Sequence, residues 1–231
     1  MQNVRVVKGM RLLELFAGTG SIGKAFRLEG WEVTGLDINL GHVIQCDIME
    51  WKYREMPRDS FDAIWASPPC TQYSIARTTG PPRDLEGADA LVQKTLDIIA
   101  FFDVKVFMIE NPQTGMMKGR PVMAGMTPYL RTVSYCKYGM DYRKHTAIWS
   151  NLYEHWVHQP PCCKATPCDY IVDGNHLKTA QRGSCKAKGV LRKNDSYGVE
   201  ALYRVPHSLC VELACATTTA VRARTLESTD E

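Results

Sequence analysis

The chain has 231 residues, 45% hydrophobic and 23% charged, with 28 Lys and Arg against 25 Asp and Glu for a formal net charge of +3. This is the composition of an ordinary globular protein with one good core, or one core plus a small appendage, and the charge is too small by itself to argue for a nucleic-acid partner. The opening MQNVRVVKGM has no signal-peptide character, no apolar stretch is long enough to span a bilayer, and nine cysteines without a secretory signal point to reduced thiols, metal ligands or a nucleophile, so a soluble intracellular protein is expected.

In chain order, Leu12, Leu13, Leu15 and Phe16 predict a buried strand over residues 11–16. It breaks into Gly18-Thr19-Gly20-Ser21-Ile22-Gly23, a G-x-G-x-x-G turn that lets backbone N–H groups and a helix N-terminus approach a ligand closely. A helix is predicted from about Ser21, with Ile22, Ala25 and Phe26 on one face and Gly30 as its stop. Residues 31–36 read as a strand ending at Asp37, and a shorter strand ends at Gln45-Cys46-Asp47. The apolar strand at 61–66 runs into Ser67-Pro68-Pro69-Cys70, where two prolines forbid continuation. Helical spacing covers 84–102. A buried strand at 104–109 is expected to end at Glu110-Asn111-Pro112, and 131–136 with 146–149 look like a late antiparallel pair. The alternation predicts an α/β fold, a Rossmann-like doubly wound sheet, over residues 1–150.

Residues 151–198 are rich in Cys, His, Lys, Gly and Pro and predict a small irregular subdomain. Within them Lys178, Arg182, Lys186, Lys188, Arg192 and Lys193 follow one another with no intervening acid, which suits either a solvated loop or a phosphate-contacting surface. Cys163 and Cys168 with His176 and Cys185 have the residue types of a tetrahedral zinc site that would staple this coreless stretch, with His155 and His158 as competing ligands and free thiols as the alternative. Apolar spacing returns over 199–216 through Leu209, Leu213 and Ala214, predicting within 199–231 a helix that packs back on the main body, followed by a frayed acidic tail.

In open α/β sheets ligands sit beyond the carboxyl ends of the strands. There the sequence places the glycine turn, Asp37, Asp47, Cys70 and Glu110. Asp37 follows the turn by roughly the distance at which an acid reaches a ribose hydroxyl, which suits any adenosine ligand, NAD and S-adenosylmethionine alike. A cysteine held after two prolines at a strand end has the setting of a nucleophile, and Glu110 on the neighbouring strand can serve as its proton donor. A hydride-transfer enzyme has no general need of that thiol.

ELFAGTGSIGKAF, ASPPCTQYS and IENP, in this order and spacing, resemble the three leading motifs of the cytosine-C5 methyltransferase family, over roughly residues 10–150. The resemblance implies S-adenosylmethionine held by Phe16, Ala17, Gly18, Thr19, Gly20, Asp37, Ile38, Asp47, Ile48 and Pro68. It implies Cys70 as the nucleophile that adds to cytosine C6, Glu110 on the N3 and amine edge, and Asn111 ordering the Cys70 loop. The segment 138–144 is similar to a later family motif. Tyr142 stands where Gln is usual, and Arg143 and Lys144 cover the basic positions that would contact the flipped base or its phosphate. Pro112 replaces the more usual Val, and Arg204-Val205-Pro206 resembles a remnant of the last motif. The loop 71–83, with Arg77 and Arg83, is expected to close over DNA. Arg182, Lys186, Lys188 and Lys193 are expected to supply phosphate contacts. The implied function is a DNA cytosine-C5 methyltransferase acting on double-stranded DNA as a monomer. The alternatives are an RNA cytosine methyltransferase and a catalytically silent S-adenosylmethionine-binding adaptor, while an NAD-dependent dehydrogenase has only the glycine turn to support it.

Overall fold

A computed structural model of the chain describes residues 9–39, 41–172, 175–176, 178–179 and 202–227. Its centre is a seven-stranded sheet. Strands β1 (Arg11–Leu15), β2 (Glu32–Asp37), β3 (Ile44–Gln45), β4 (Ala63–Ala66), β5 (Val106–Pro112), β6 (Leu130–Ser134) and β8 (His145–Ser150) lie in the order β3-β2-β1-β4-β5-β8-β6. Strands β1 to β5 are mutually parallel, and β8 is antiparallel to both β5 and β6. Outside this sheet, β7 (Tyr142–Arg143) pairs with β11 (Lys178–Thr179), and β9 (Ile171–Val172) with β10 (Asn175–His176).

The central strands β1, β4 and β5 are buried on both faces, as parallel strands under helices must be, and their side chains alternate between two layers. Leu12, Ala63, Trp65, Val106 and Met108 meet α1 (Ser21–Leu28) and α3 (His207–Glu227) on one face. Leu13, Leu15, Ile64 and Ala66 meet Ile98 and Phe102 of α2 (Leu85–Phe102) on the other. Asp84 caps α2 by accepting the Gly87 N–H at 2.8 Å, and Gly30 takes the left-handed conformation (φ 82°) just past the end of α1.

Two elements run further than their sequence predicts. Strand β5 continues through Glu110, Asn111 and Pro112 because β8 keeps pairing with it (Glu110↔Ile148, Asn111↔Ala147, Pro112↔Thr146) after the parallel neighbour β4 has ended at Ala66↔Ile109. Helix α3 extends to Glu227, since Thr217, Thr218, Ala220 and Val221 stay buried beyond the apolar spacing that ends at 216. Its small residues allow close approach to α1, and Trp31 Nε1 donates to Thr218 Oγ1 at 2.9 Å there.

Chain order reverses beside β1, with β2 and β3 on one side and β4 and β5 on the other. The crevice at such a reversal, at the carboxyl ends of the strands, is where this architecture binds ligands. The loops after β1 and β4, and the end of β5, converge there.

Candidate active site

The turn after β1 is built from left-handed backbone. Phe16, Gly18 and Gly20 have φ of 56°, 48° and 64°. Gly20 is the N-cap of α1 and offers no side chain to cap it. The N–H of Gly23, in the first turn, is accepted by Glu14 Oε2 at 3.1 Å from within β1. Asp37 is buried at the end of β2 and ties that strand to the turn: Oδ2 accepts the Gly18 N–H at 2.9 Å, and Oδ1 accepts the N–H of Asn39 at 2.9 Å and its Nδ2 at 2.7 Å. A carboxylate has about four acceptor positions, so three internal donors do not saturate Asp37. Ile38 beside it is 65% exposed and offers an apolar face, whereas Ile48 lies within the core and Asp47, exposed, accepts the Met49 N–H at 2.9 Å. Pro68 is buried beneath the second loop. A left-handed glycine turn at a helix N-terminus, a buried acid beside it and an exposed aliphatic side chain are groups that could hold an adenosine-containing cofactor.

Cys70, Glu110 and Lys144 lie within electrostatic reach of one another at the strand ends. Cys70 sits half-buried after the two prolines. Burial raises its pKa, the Glu110 carboxylate raises it further, and the Lys144 ammonium pulls it back down. Glu110 is buried at the end of β5 and accepts the Tyr135 hydroxyl at 3.2 Å. Tyr135, fully buried, has its own pKa driven up by that burial, so it remains a phenol and a donor. Lys144 Nζ lies 4.7 Å from the centroid of the Tyr135 ring and donates to the Leu202 carbonyl at 3.1 Å. Asn111 donates from Nδ2 to the Pro68 carbonyl at 2.9 Å, holding the Pro-Pro-Cys loop against β5.

The chain matches the C-5 cytosine-specific DNA methylase family over residues 10–135. It is also 32% identical over 225 residues, 88% of this chain and 98% of the relative, to a protein of Frog virus 3 (isolate Goorha) described as a probable DNA (cytosine-5)-methyltransferase. The chain belongs to the C-5 cytosine-specific DNA methylase family. Among solved structures it is similar to the Entamoeba histolytica methyltransferase EhMeth, with 14% identity and a TM-score of 0.50 over 67% of this chain and 56% of that one. It is also similar to a Spodoptera frugiperda DNMT2 variant, with 14% identity and a TM-score of 0.42 over 69% and 57%. The first likeness shows the shared fold, and the chain spans just over half the length of both structures.

Within this family frame, other expected residues stand apart from the cleft. Arg143 is exposed in β7, and its charge, after burial, lowers the pKa of His145 and His176. Lys144 is therefore the basic residue set beside Cys70. Arg83 donates to the carbonyls of Gln72, Ser74 and Arg77, and Arg77 to Gln72 and Pro81, so both guanidinium groups knit the 71–83 loop together. Arg182, Lys186, Lys188, Lys193 and Cys185 lie outside the described residues. Cys163 does not join Cys168 and His176: the chain turns through Cys163 N–H to Thr166 O at 3.2 Å, leaving the Cys163 thiol exposed against Thr166 Oγ1 at 3.1 Å. Nothing in the sequence marks Tyr135 as a site residue, because a tyrosine closing a strand reads as core. Its contact with Glu110 exists only because β6 and β5 flank the same strand, β8.

Proposed function

We propose that this chain methylates C5 of cytosine in double-stranded DNA, using a covalent bond between Cys70 and C6 of a flipped-out base. The observation that carries the reading is the grouping of Cys70, Glu110 and Lys144 at the strand ends of a chain that belongs to the C-5 cytosine-specific DNA methylase family. Cytosine C5 is a poor nucleophile and is inaccessible inside a duplex, so the base must leave the stack. Glu110 takes up a proton as the base binds and passes it to N3 while the Cys70 thiolate bonds to C6, leaving an enamine with electron density on C5. S-adenosylmethionine, held by residues 16–20, Asp37 and Ile38 with Asp47 near the adenine, supplies an electrophilic methyl group. C5 takes up the methyl group, and loss of the C5 proton to a base, with return of the N3 proton to Glu110, expels Cys70 and restores the 5,6 double bond.

Lys144 stabilises the Cys70 thiolate against burial and the Glu110 charge. Asn111 keeps the loop carrying Cys70 in register with Glu110. The test uses labelled S-adenosylmethionine with duplex DNA and, separately, total RNA. Label is expected in DNA, a stable adduct is expected on duplexes carrying 5-fluorocytosine, and Cys70→Ala is expected to abolish both while cofactor affinity stays nearly unchanged. Transfer to RNA alone would redirect the substrate assignment. Transfer by Cys70→Ala would overturn the mechanism.

A further inference from the structure

The described residues between 157 and 176 have almost no hydrophobic side chains to bury, yet they hold a fixed place against the turn that follows β6. Their buried cluster consists of the thiols of Cys162 and Cys168 together with Cys136 from that turn, flanked by Tyr170 and Ile171. Hydrogen bonds tie the two parts together. The Cys162 N–H donates to Ser134 Oγ at 2.9 Å, Tyr170 Oη to the Gly139 carbonyl at 3.2 Å, and Lys137 Nζ to the Pro167 carbonyl. Three thiols are a poor core, since small sulfur groups bury little area and a segment this short needs a staple.

The fourth member of the cluster is an imidazole. His176 Nε2 lies 3.6 Å from Cys162 Sγ and 3.2 Å from Cys168 Sγ. The ligand atoms of Cys136, Cys162, Cys168 and His176 all fall within 4.8 Å of one another. Zinc bonds to sulfur at about 2.3 Å and to imidazole at about 2.0–2.1 Å, so a tetrahedral site has S···N edges of about 3.6 Å and S···S edges of about 3.8 Å. The two S···N distances lie near that edge, and no two of the four atoms are more than 4.8 Å apart, so a small inward adjustment closes the set around one ion.

We propose that Cys136, Cys162, Cys168 and His176 form a structural zinc site that pins the 157–176 segment to the catalytic domain. The set is a closed one, with four protein ligands and no position left for water, which is the pattern of a structural rather than a catalytic metal. Binding exchanges thiol protons for the metal: each coordinating cysteine releases one proton to solvent, and His176 binds through its neutral Nε2. The site differs from the one the sequence suggests, because the adjacent Cys162 and Cys163 face opposite ways and because Cys136 comes from the catalytic domain. That cross-domain ligand gives the metal a specific task. Cys136 directly follows Tyr135, the hydrogen-bond partner of Glu110, and β11, just past His176, pairs with β7 next to Lys144. The metal therefore fixes the frame of the active site without touching a reacting atom.

The proposal stands independently of the methyl-transfer reading, and its test does not use activity. The full chain, purified in the presence of zinc, is expected to carry one zinc per chain by elemental analysis. Replacement by cobalt is expected to give the visible bands of a tetrahedral site and a thiolate-to-cobalt charge-transfer band in the near ultraviolet. Cys136→Ser, Cys162→Ser, Cys168→Ser and His176→Ala are each expected to lose the metal, while Cys163→Ser and Cys185→Ser retain it. Since a ligand variant can fail to fold, alkylation of the unaltered chain is mapped with and without a chelator. Cys136, Cys162 and Cys168 are expected to become reactive only when the metal is withdrawn, and Cys163 to react in both states. No stoichiometric metal after purification and none on titration would overturn the site. Metal retained by Cys136→Ser, or lost in Cys163→Ser, would overturn this ligand set.

Discussion

Burial raises the pKa of Cys70 most, and two opposed charges, Glu110 and Lys144, adjust it in opposite directions. Burial and the Glu110 carboxylate favour the neutral thiol, and Lys144 alone among the named neighbours favours the thiolate. Removing the ammonium with Lys144→Gln is expected to move the pKa of Cys70 further up. Each unit of upward shift leaves about tenfold less thiolate at neutral pH, and the rate of attack falls in step. The check is the pH dependence of Cys70 alkylation by iodoacetamide, followed at the Cys70 peptide: its midpoint should rise in Lys144→Gln and stay in place in Arg143→Gln. Equal midpoints in the parent and Lys144→Gln would show that the ammonium does not stabilise the thiolate. This pair also marks the limit of what the sequence reveals. The motif makes Arg143 and Lys144 equivalent, because strand pairing decides which one faces the cleft, and the two-residue β7 that turns Arg143 outward has no periodicity to read.

At the scale of elements, the junction of β1 and α1 carries a buried carboxyl that the sequence hides. Glu14 interrupts an apolar strand, is 4% exposed, and fills the space left by the missing side chain of Gly23, where a Cβ would lie 2.5 Å from Glu14 Oε2. Burial raises its pKa from 4.5 to about 7, against the lowering effects of the Gly23 hydrogen bond and Arg27. A folded-state pKa above the unfolded one means that the native state holds the proton more tightly. Stability from this group is thus complete below 4.5 and is lost as pH rises through about 7. The shift corresponds to at most about 3 kcal/mol. Glu14→Gln keeps an acceptor for the Gly23 N–H without the charge, so it is expected to raise Tm at pH 8 by several degrees and to flatten the fall in Tm between pH 5 and 8. A Tm profile parallel to that of the parent would show that Glu14 does not ionise in this window. The neighbouring elements are legible for the opposite reason. Strand β4 and the first half of β5 are continuous apolar runs, and β1 is one apart from Glu14, whereas the true ends of β5 and α3 depend on β8 and on an Ala/Thr-rich surface whose burial no hydropathy pattern announces.

Across the whole molecule, a net charge of +3 on 231 residues gives little long-range attraction to a polyanion. Attraction must then come from where the cations stand. Among the described residues the cleft's basic candidates are largely engaged: Arg77 and Arg83 hold their own loop, and Lys144 serves Cys70. Lys178 is paired with Asp141 at 2.9 Å. The acid-free run from Arg182 to Lys193 in the sequence is then the stretch expected to supply phosphate contacts. Changing Lys186, Lys188 and Lys193 together to Gln is expected to weaken binding to every duplex alike, because phosphate contacts carry no base information. The plot of log affinity against log salt should flatten by about 0.9 for each phosphate no longer neutralised, so by up to about 2.7 if all three lysines touch the backbone. Affinity for S-adenosylmethionine should not change, since the residues assigned to it lie between Phe16 and Pro68. Titrations of one duplex at several salt concentrations measure both quantities. An unchanged slope would make these lysines a solvated face and return the burden of DNA binding to the 71–83 loop.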